Sequence, residues 1–312
     1  MRIVSLLPSA TEIICELGLR DQLVGVTHEC DYPRSVLDLP KVTRTLIPTE
    51  ASSREIDALV RERMAGKAAL YTLDFDALDA LRPDLIVTQT LCNVCAVAED
   101  EVKDAACRIP TAPQVLNLEP ETLGDVLGCI HDVARAAGVP ERAQPTIDRL
   151  QSRVNAVTSR VRASATKPRI ALLEWLDPPF STGHWNPELI RMAGGVDGLG
   201  REGQKSVALE WKEVTQWRPE VVLISCCGFT AERTMKEVGV LRDVAGWDEL
   251  PAVRDGRVYV TDGSSYFSRP GPRLVDSLEL LAHVIHPDVH PLPEWVAVPI
   301  RLAEHAGELA PR

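Results

Sequence analysis

The sequence predicts an α/β protein of two lobes, each built on a parallel sheet, joined by one long helix. Three observations predict it. Short apolar, β-branched runs alternate with helical patterns along most of the chain, the arrangement that produces parallel sheets. Two distant segments repeat one another: FDALDALRPDLIVTQTLC (75–92) and EWKEVTQWRPEVVLISCC (210–227) each run helix, Arg-Pro-acid, strand and thiol. Between them, AQPTIDRLQSRVNAVTSRVRAS carries apolar residues at helical spacing with no turn signal before ATKP. That stretch, about 142–164, is about 23 residues, or roughly 34 Å at 1.5 Å per residue, enough to cross a small domain.

The chain of 312 residues exceeds one typical core and suits two lobes of roughly 130–150 residues each. In the first lobe, strands are expected near 2–7, 23–27, 84–88 and 112–116, and helices near 10–17, 53–65, 74–81 and 97–106. The run RIVSLLP opens the chain as a strand, and Ser9 with Glu12 has the spacing of a capping box for the helix that follows. RPDLIVTQ is apolar, β-branched and bounded by Pro83, which marks a buried parallel strand. EPETLGDVLGCIHDVARAAG then gives a helix before the bridging one.

In the second lobe, strands are expected near 169–174, 220–225 and 257–261, and helices near 186–193, 208–217, 231–245 and 271–285. RIALLEWLDPPFSTGHWNPELIRMAGG repeats the opening plan of strand, Pro-containing loop, helix and glycine terminator. The resulting division is a lobe over 1–138, a bridging helix over 139–166, a lobe over 167–290 and a Pro-rich tail over 291–312.

Composition narrows the function. A net charge of −11, with no basic cluster interleaved with aromatics, would repel a phosphate backbone and excludes nucleic acid as the expected partner. No apolar run approaches the length of a membrane span, so membrane insertion is not expected. The N-terminus enters a strand at once, and eight sparse cysteines suit a reducing compartment, so a cytoplasmic protein is expected. A leader preceding this sequence would change that to periplasmic or extracellular.

Ligands of open α/β sheets bind beyond the carboxyl ends of the strands. The loops there are LPSATE, THECDYP and TQTLCNVC in the first lobe, and EWLDPPFSTGHW, SCCGF and TDGSSYFSRPGPR in the second. With aromatics only 4% of the chain, their concentration in these loops predicts an aromatic-lined cleft between the lobes. The candidate ligand contacts are Tyr32, Trp175, Phe180, His184, Trp185, Tyr266 and Phe267. Trp211, Trp217 and Trp247 fall at helical or turn positions and read as packing.

RIVSLLPSATEIICELGLRDQLVGVTHECDYP, LRPDLIVTQ, PPFSTGHWNPELIRMAGG and SRPGPRLVDSLELLAHVIHP resemble the substrate-binding proteins for vitamin B12, siderophores and haem that serve ABC importers. The resemblance is nearest to the cobalamin-binding branch and covers roughly residues 2–290. It implies two Rossmann-like lobes joined by one helix, and a cobalamin or related corrinoid held by aromatic faces. Such faces suit a large flat ring because they give contact area at low side-chain entropy cost.

The same resemblance implies an ABC permease as partner, docked through an acidic residue in the helix before each Pro-acid turn. The first lobe has Asp76 there, whereas the matching second-lobe position is Lys212, flanked by Glu210 and Glu213, so the docking residues are atypical.

Thiols and imidazoles set up a competing expectation. His28, Cys30, Cys92, Cys95 and Cys226 gather in loops at the strand ends, a donor set for zinc or an iron-sulfur cluster with redox activity. Cys92 and Cys95 are compatible with a ligand or metal contact, a redox pair or packing at the strand end. His28 and His184 are compatible with solvated residues, donors to cobalt or iron, or hydrogen-bond partners of the ligand. No nucleophile, base and orienting partner assemble, and LLPSATE lacks the glycines of a dinucleotide loop, so a binding protein is expected rather than an enzyme.

Overall fold

The computed structural model describes residues 1–48, 50–66, 69–89, 99–162, 164 and 166–305. It divides into two compact units: Met1–Pro120 with Gly124–Arg149, and Glu121–Leu123 with Leu150–Arg312.

In the first unit, β1 (Ile3–Ser5), α1 (Pro8–Glu16) and β2 (Leu23–Val26) open the chain. They are followed by β3 (Thr43–Thr45), α2 (Ser53–Ala65), β4 (Tyr71–Leu73), α3 (Phe75–Leu81), β5 (Leu85–Gln89), α4 (Glu99–Arg108) and β6 (Gln114–Leu118). The main sheet has the order β2-β1-β5-β6, all parallel, while β3 and β4 form a separate antiparallel pair. β5 reads LIVTQ and is buried along its whole length, as a strand covered on both faces must be. Val4, Ile86, Leu78, Val102 and Ile109 form the core beneath it.

α1 corrects one expectation. It begins at Pro8, Leu7 is its N-cap, and no side chain caps it. The ring of Pro8 presets the first helical φ and donates no N–H, so Ser9 lies inside the helix rather than before it. Capping boxes form instead at α2, with Ser52 and Glu55 bonded reciprocally, and at the helix beginning at Trp211, with Glu210 and Glu213.

α5 (Leu123–Ala136) and α6 (Ala143–Val161) follow, and α6 runs out of the first unit into the second. At 19 residues α6 is about 28 Å long, shorter than expected: it starts one residue later, after a 3-10 turn over Pro140–Arg142, and ends at Val161.

The second unit contains β7 (Arg169–Leu173), the short antiparallel pair β8 (Trp175–Leu176) and β9 (Pro179–Phe180), α7 (Asn186–Met192), β10 (Val196–Asp197) and α8 (Trp211–Trp217). It continues with β11 (Val221–Ile224), α9 (Ala231–Glu237), α10 (Pro251–Arg254), β12 (Val258–Val260), α11 (Leu274–Ile285) and β13 (Ile300–Arg301). The sheet order is β10-β7-β11-β12-β13, parallel except for β13 at the edge. α9 is shorter than the expected 231–245, passing into a 3-10 segment over Val238–Asp243 where Gly239 weakens the helix.

The internal repeat is physical. α3 and α8 both end on an arginine in the left-handed conformation, Arg82 (φ 44°) and Arg218 (φ 51°), just before the Pro-acid pair. Asp84 Oδ2 accepts the backbone N–H of Arg2 at 2.7 Å, and Glu220 Oε2 accepts that of Arg169 at 3.0 Å. Each acid thereby sets its strand beside the first strand of its own unit, Ile3 opposite Leu85 and Ile170 opposite Val221.

Candidate functional site

In the first unit, β2 delivers the loop Thr27–Pro33. Thr27 Oγ1 accepts from Glu29 N at 2.9 Å, tightening the turn so that His28 reaches β3. Thr43 Oγ1 accepts the His28 backbone N–H at 3.2 Å and lies 2.8 Å from Nδ1. The ring packs 5.6 Å from Tyr71, and Nε2 is buried without a hydrogen-bond partner among the described residues. Burial, and then Lys41, push the pKa of His28 below its ordinary value, so the ring is neutral at pH 7.

The neighbouring candidates in that loop diverge. Tyr32 is 46% exposed, whereas Cys30 is 2% exposed, its Sγ 3.1 Å from Thr11 Oγ1 on α1. Cys92 and Cys95 lie outside the described residues.

In the second unit, three loops meet at the carboxyl edge of β7, β11 and β12. Trp175 stands edge-on to Phe229 at 5.1 Å, and Arg233 lies over the Phe229 ring at 4.6 Å. His184 stacks on Trp185 at 5.4 Å with 25° between the rings, and its Nδ1 is buried without a hydrogen-bond partner among the described residues. Burial holds its pKa below the ordinary histidine range. His184 has φ +50° and Phe267 φ +67°, unfavourable for residues with a Cβ and therefore sustained by the surrounding bonds.

Those bonds are specific. Trp185 Nε1 donates to Phe267 O at 2.7 Å, and Asn186 Nδ2 donates to Glu174 Oε1 at 3.0 Å. Phe180 is half-buried at the end of its hairpin, where its carbonyl accepts from Glu174 N at 3.3 Å. Trp185, Tyr266 and Phe267 are buried, against the expectation that their rings face a ligand; Phe267, at 1% exposed, accepts the Trp185 indole N–H on its backbone carbonyl, while the Tyr266 hydroxyl accepts from Ala297 N at 3.0 Å and holds the C-terminal segment.

Glu174, Asn186 and Ser206 were not legible as site residues, although RIALLE ends an apolar strand on an acid, which is the signal that marks Glu174. Burial pushes the Glu174 carboxyl up to about 7, against hydrogen bonds from Ser206, Asn186 and Gly183, and Asp197 adds to the rise. The folded-state value lies above the unperturbed 4.5, so the folded chain keeps a proton that the unfolded chain has released. Stability is therefore expected to fall as pH rises from about 4.5 to about 7. Glu174→Gln should flatten that slope and raise stability by up to about 3 kcal/mol at alkaline pH, read from thermal melts at acid and alkaline pH.

The thiol-metal expectation gains no support among the described residues, where no group of three His, Cys, Asp or Glu side chains is placed to hold a metal ion. Cys226 is fully buried, and burial pushes its thiol up to about 12. Of the expected docking acids, Glu213 caps α8 by accepting the Glu210 backbone N–H at 2.7 Å, and Asp76 lies in the first turn of α3. Among the described residues no helix is long and apolar enough to cross a membrane.

Comparison with known proteins agrees with this architecture. A family profile described as periplasmic binding protein matches residues 3–264. An uncharacterized ABC transporter substrate-binding lipoprotein of Bacillus subtilis, YvrC, is 25% identical over 292 residues, 92% of this chain and 80% of that protein. A vitamin B12-binding protein of Vibrio cholerae is 24% identical over 282 residues, 89% of this chain and 86% of its own length.

Among solved structures, the periplasmic vitamin B12 binding protein BtuF of Vibrio cholerae superposes with a TM-score of 0.66 at 23% identity, covering 91% of this chain and 96% of that one. A periplasmic heme binding protein from Pseudomonas aeruginosa gives a TM-score of 0.71 at 21% identity, covering 96% and 97%. These relatives are periplasmic or a lipoprotein by name, and the cytoplasmic expectation finds no support in them.

Proposed function

We propose a cargo for this chain, which belongs to the periplasmic binding protein family: a corrinoid such as cobalamin, or a related metal-tetrapyrrole, captured for an ABC importer. The observation that carries the proposal is the edge of the second sheet, where the half-buried rings of Trp175 and His184, the latter backed by the buried Trp185, offer flat faces to a flat ring. The vitamin B12-binding relatives, matched over most of their length, support the same chemistry.

Haem is the second reading. His28 Nε2 and His184 Nδ1 are nitrogens with no hydrogen-bond partner among the described residues, on rings kept neutral at pH 7, the form in which imidazole donates to iron. With relatives named as periplasmic or as a lipoprotein, the proposed place of capture is outside the cytoplasm. The proposed permease contact in the first unit is Asp76.

Titration with cyanocobalamin and with haemin, followed by visible absorption and by co-elution on gel filtration, tests the proposal. Stoichiometric co-elution of either identifies the cargo, and uptake of neither rejects it. For the ligand that binds, Trp175→Ala should weaken affinity by about tenfold, equivalent to about 1.4 kcal/mol. Unchanged affinity would remove Trp175 from the contact surface.

A further inference from the structure

Beyond the faces proposed to touch a ligand, the second unit contains a set of bonds behind one of them. Glu174 follows β7 directly and places its carboxylate against the loop carrying His184 and Trp185. Oε1 accepts Gly183 N at 3.4 Å and Asn186 Nδ2 at 3.0 Å, and the side chain of Ser206 bonds the same carboxylate. Asn186 Nδ2 also lies 3.4 Å from Phe267 O, the carbonyl that takes the Trp185 indole N–H at 2.7 Å. A continuous path therefore runs from carboxylate to amide to carbonyl to indole.

The path has a polarity. Glu174 Oε1 and Phe267 O are both acceptors, so Asn186 must present its amino group to both. It cannot turn its oxygen towards a protonated Glu174 without abandoning Phe267. Gly183 N is likewise only a donor. Every one of these bonds runs into Oε1 from a donor, and an ionised carboxylate accepts them more strongly than a protonated one: a proton on Oε2 weakens them and a proton on Oε1 sets donor against donor.

We propose that Glu174 is a positioning residue: ionised, it holds the His184–Trp185 face in its ligand-binding arrangement, and protonated, it loosens that face. Ligand capture by this chain then depends on pH. The inference rests on the proposed function, in which His184, backed by Trp185, contacts the cargo.

The carboxyl titrates near neutrality because burial raises it to about 7. The groups acting on it are Ser206 and Gly183 from the surrounding loops, Asn186 on α7 and Asp197 on β10, whose charge favours the protonated form. Burial lowers the pKa of His184, on which Glu121 and Lys205 act in opposite directions. A change that Glu174→Gln abolishes therefore belongs to Glu174 rather than to the imidazole.

The test uses the full chain. The indole N–H resonance of Trp185, assigned with Trp185→Phe, is followed by NMR from about pH 6 to about pH 8 without ligand, in the wild type and in Glu174→Gln. The wild-type resonance is expected to titrate with a midpoint near 7, and the variant's to stay flat over the same range. Affinity for cyanocobalamin or haemin should fall about threefold or more from pH 8 to pH 6 in the wild type and stay level in the variant.

A flat wild-type resonance, or one that titrates equally in Glu174→Gln, overturns the inference, as does a ligand affinity with the same pH dependence in both proteins. Titration of Trp185 that disappears in Glu174→Gln, with no uptake of either ligand, supports the positioning role and overturns the cargo. Thermal melts of Glu174→Gln confirm that it is folded where it is compared.

Discussion

Arg153→Ala is expected to lower the stability of the second unit by about 3–5 kcal/mol. Arg153 lies on the part of α6 that belongs to the second unit, and its guanidinium reaches Asp276 at 2.5 Å and Glu279 at 2.6 Å and 3.1 Å on α11. The three side chains are 22%, 13% and 6% exposed, so water screens them weakly. Trp295 Nε1 donates to Glu279 Oε2 at 3.1 Å, and Arg153 stands 5.4 Å from the Trp295 ring, so the C-terminal segment joins the same network.

Removing the cation leaves two carboxylates facing one another with most of their solvent gone, and the lost stability is mainly the strain of that pair rather than the worth of the original bonds. Burial already pushes Asp276 above the ordinary carboxylate range even with Arg153 present. Urea unfolding followed by tryptophan fluorescence gives the number, and a loss below about 1 kcal/mol would show that solvent reaches the acids freely. Replacing all three residues together, with Arg153→Met, Asp276→Leu and Glu279→Leu, should recover most of the loss, because no charge is then left without a partner.

Gly183→Ala should abolish most ligand binding, with affinity falling more than about tenfold and stability falling by about 1–3 kcal/mol. A methyl group at position 183 would lie 2.6 Å from Gln204 O, 2.7 Å from Lys205 C, and closer still to Ser206 N. All three are backbone atoms and none can rotate away. Nor can the segment slide, because His184 N donates to Gln204 O at 2.6 Å and Gly203 N to His184 O at 3.0 Å. The 181–186 loop must therefore move, and with it His184, Trp185 and the Gly183 bond to Glu174. Calorimetric titration with the ligand that binds, alongside thermal melts, checks both effects. Wild-type affinity in a folded Gly183→Ala protein would mean that the loop is not part of the contact surface.

The repeated helix, Arg-Pro-acid and strand pattern was legible because local rules enforce it: Pro83 and Pro219 stop a helix, and the apolar runs after them have no alternative to burial. β8, β9 and β13 are strands of two residues, too short for any periodicity, and their pairings depend on chain segments that meet only after folding. At the candidate site, aromatic composition pointed to loops that the structure places at one sheet edge in the second unit, but not to the direction of each ring. Tyr266 and Phe267 are adjacent in a loop after β12, yet both side chains turn inward, one bonding the C-terminal segment and the other filling the core. Glu174 passed unnoticed because a lone acid at the end of a strand looks solvated until the donors around it are seen.

Finally, β13 changes how the second sheet meets other molecules. Without Ile300–Arg301, the outer rim of β12 would carry open backbone groups, the template by which sheets recruit strands from neighbouring chains. The chain covers that rim with its own C-terminal segment, held by Ala297 N on the Tyr266 hydroxyl and by Arg301 Nε on Gly256 O. Shortening the chain before residue 291, as a designer of a minimal ligand sensor would be tempted to do, would therefore trade size for a tendency to self-associate, even with every ligand contact in place.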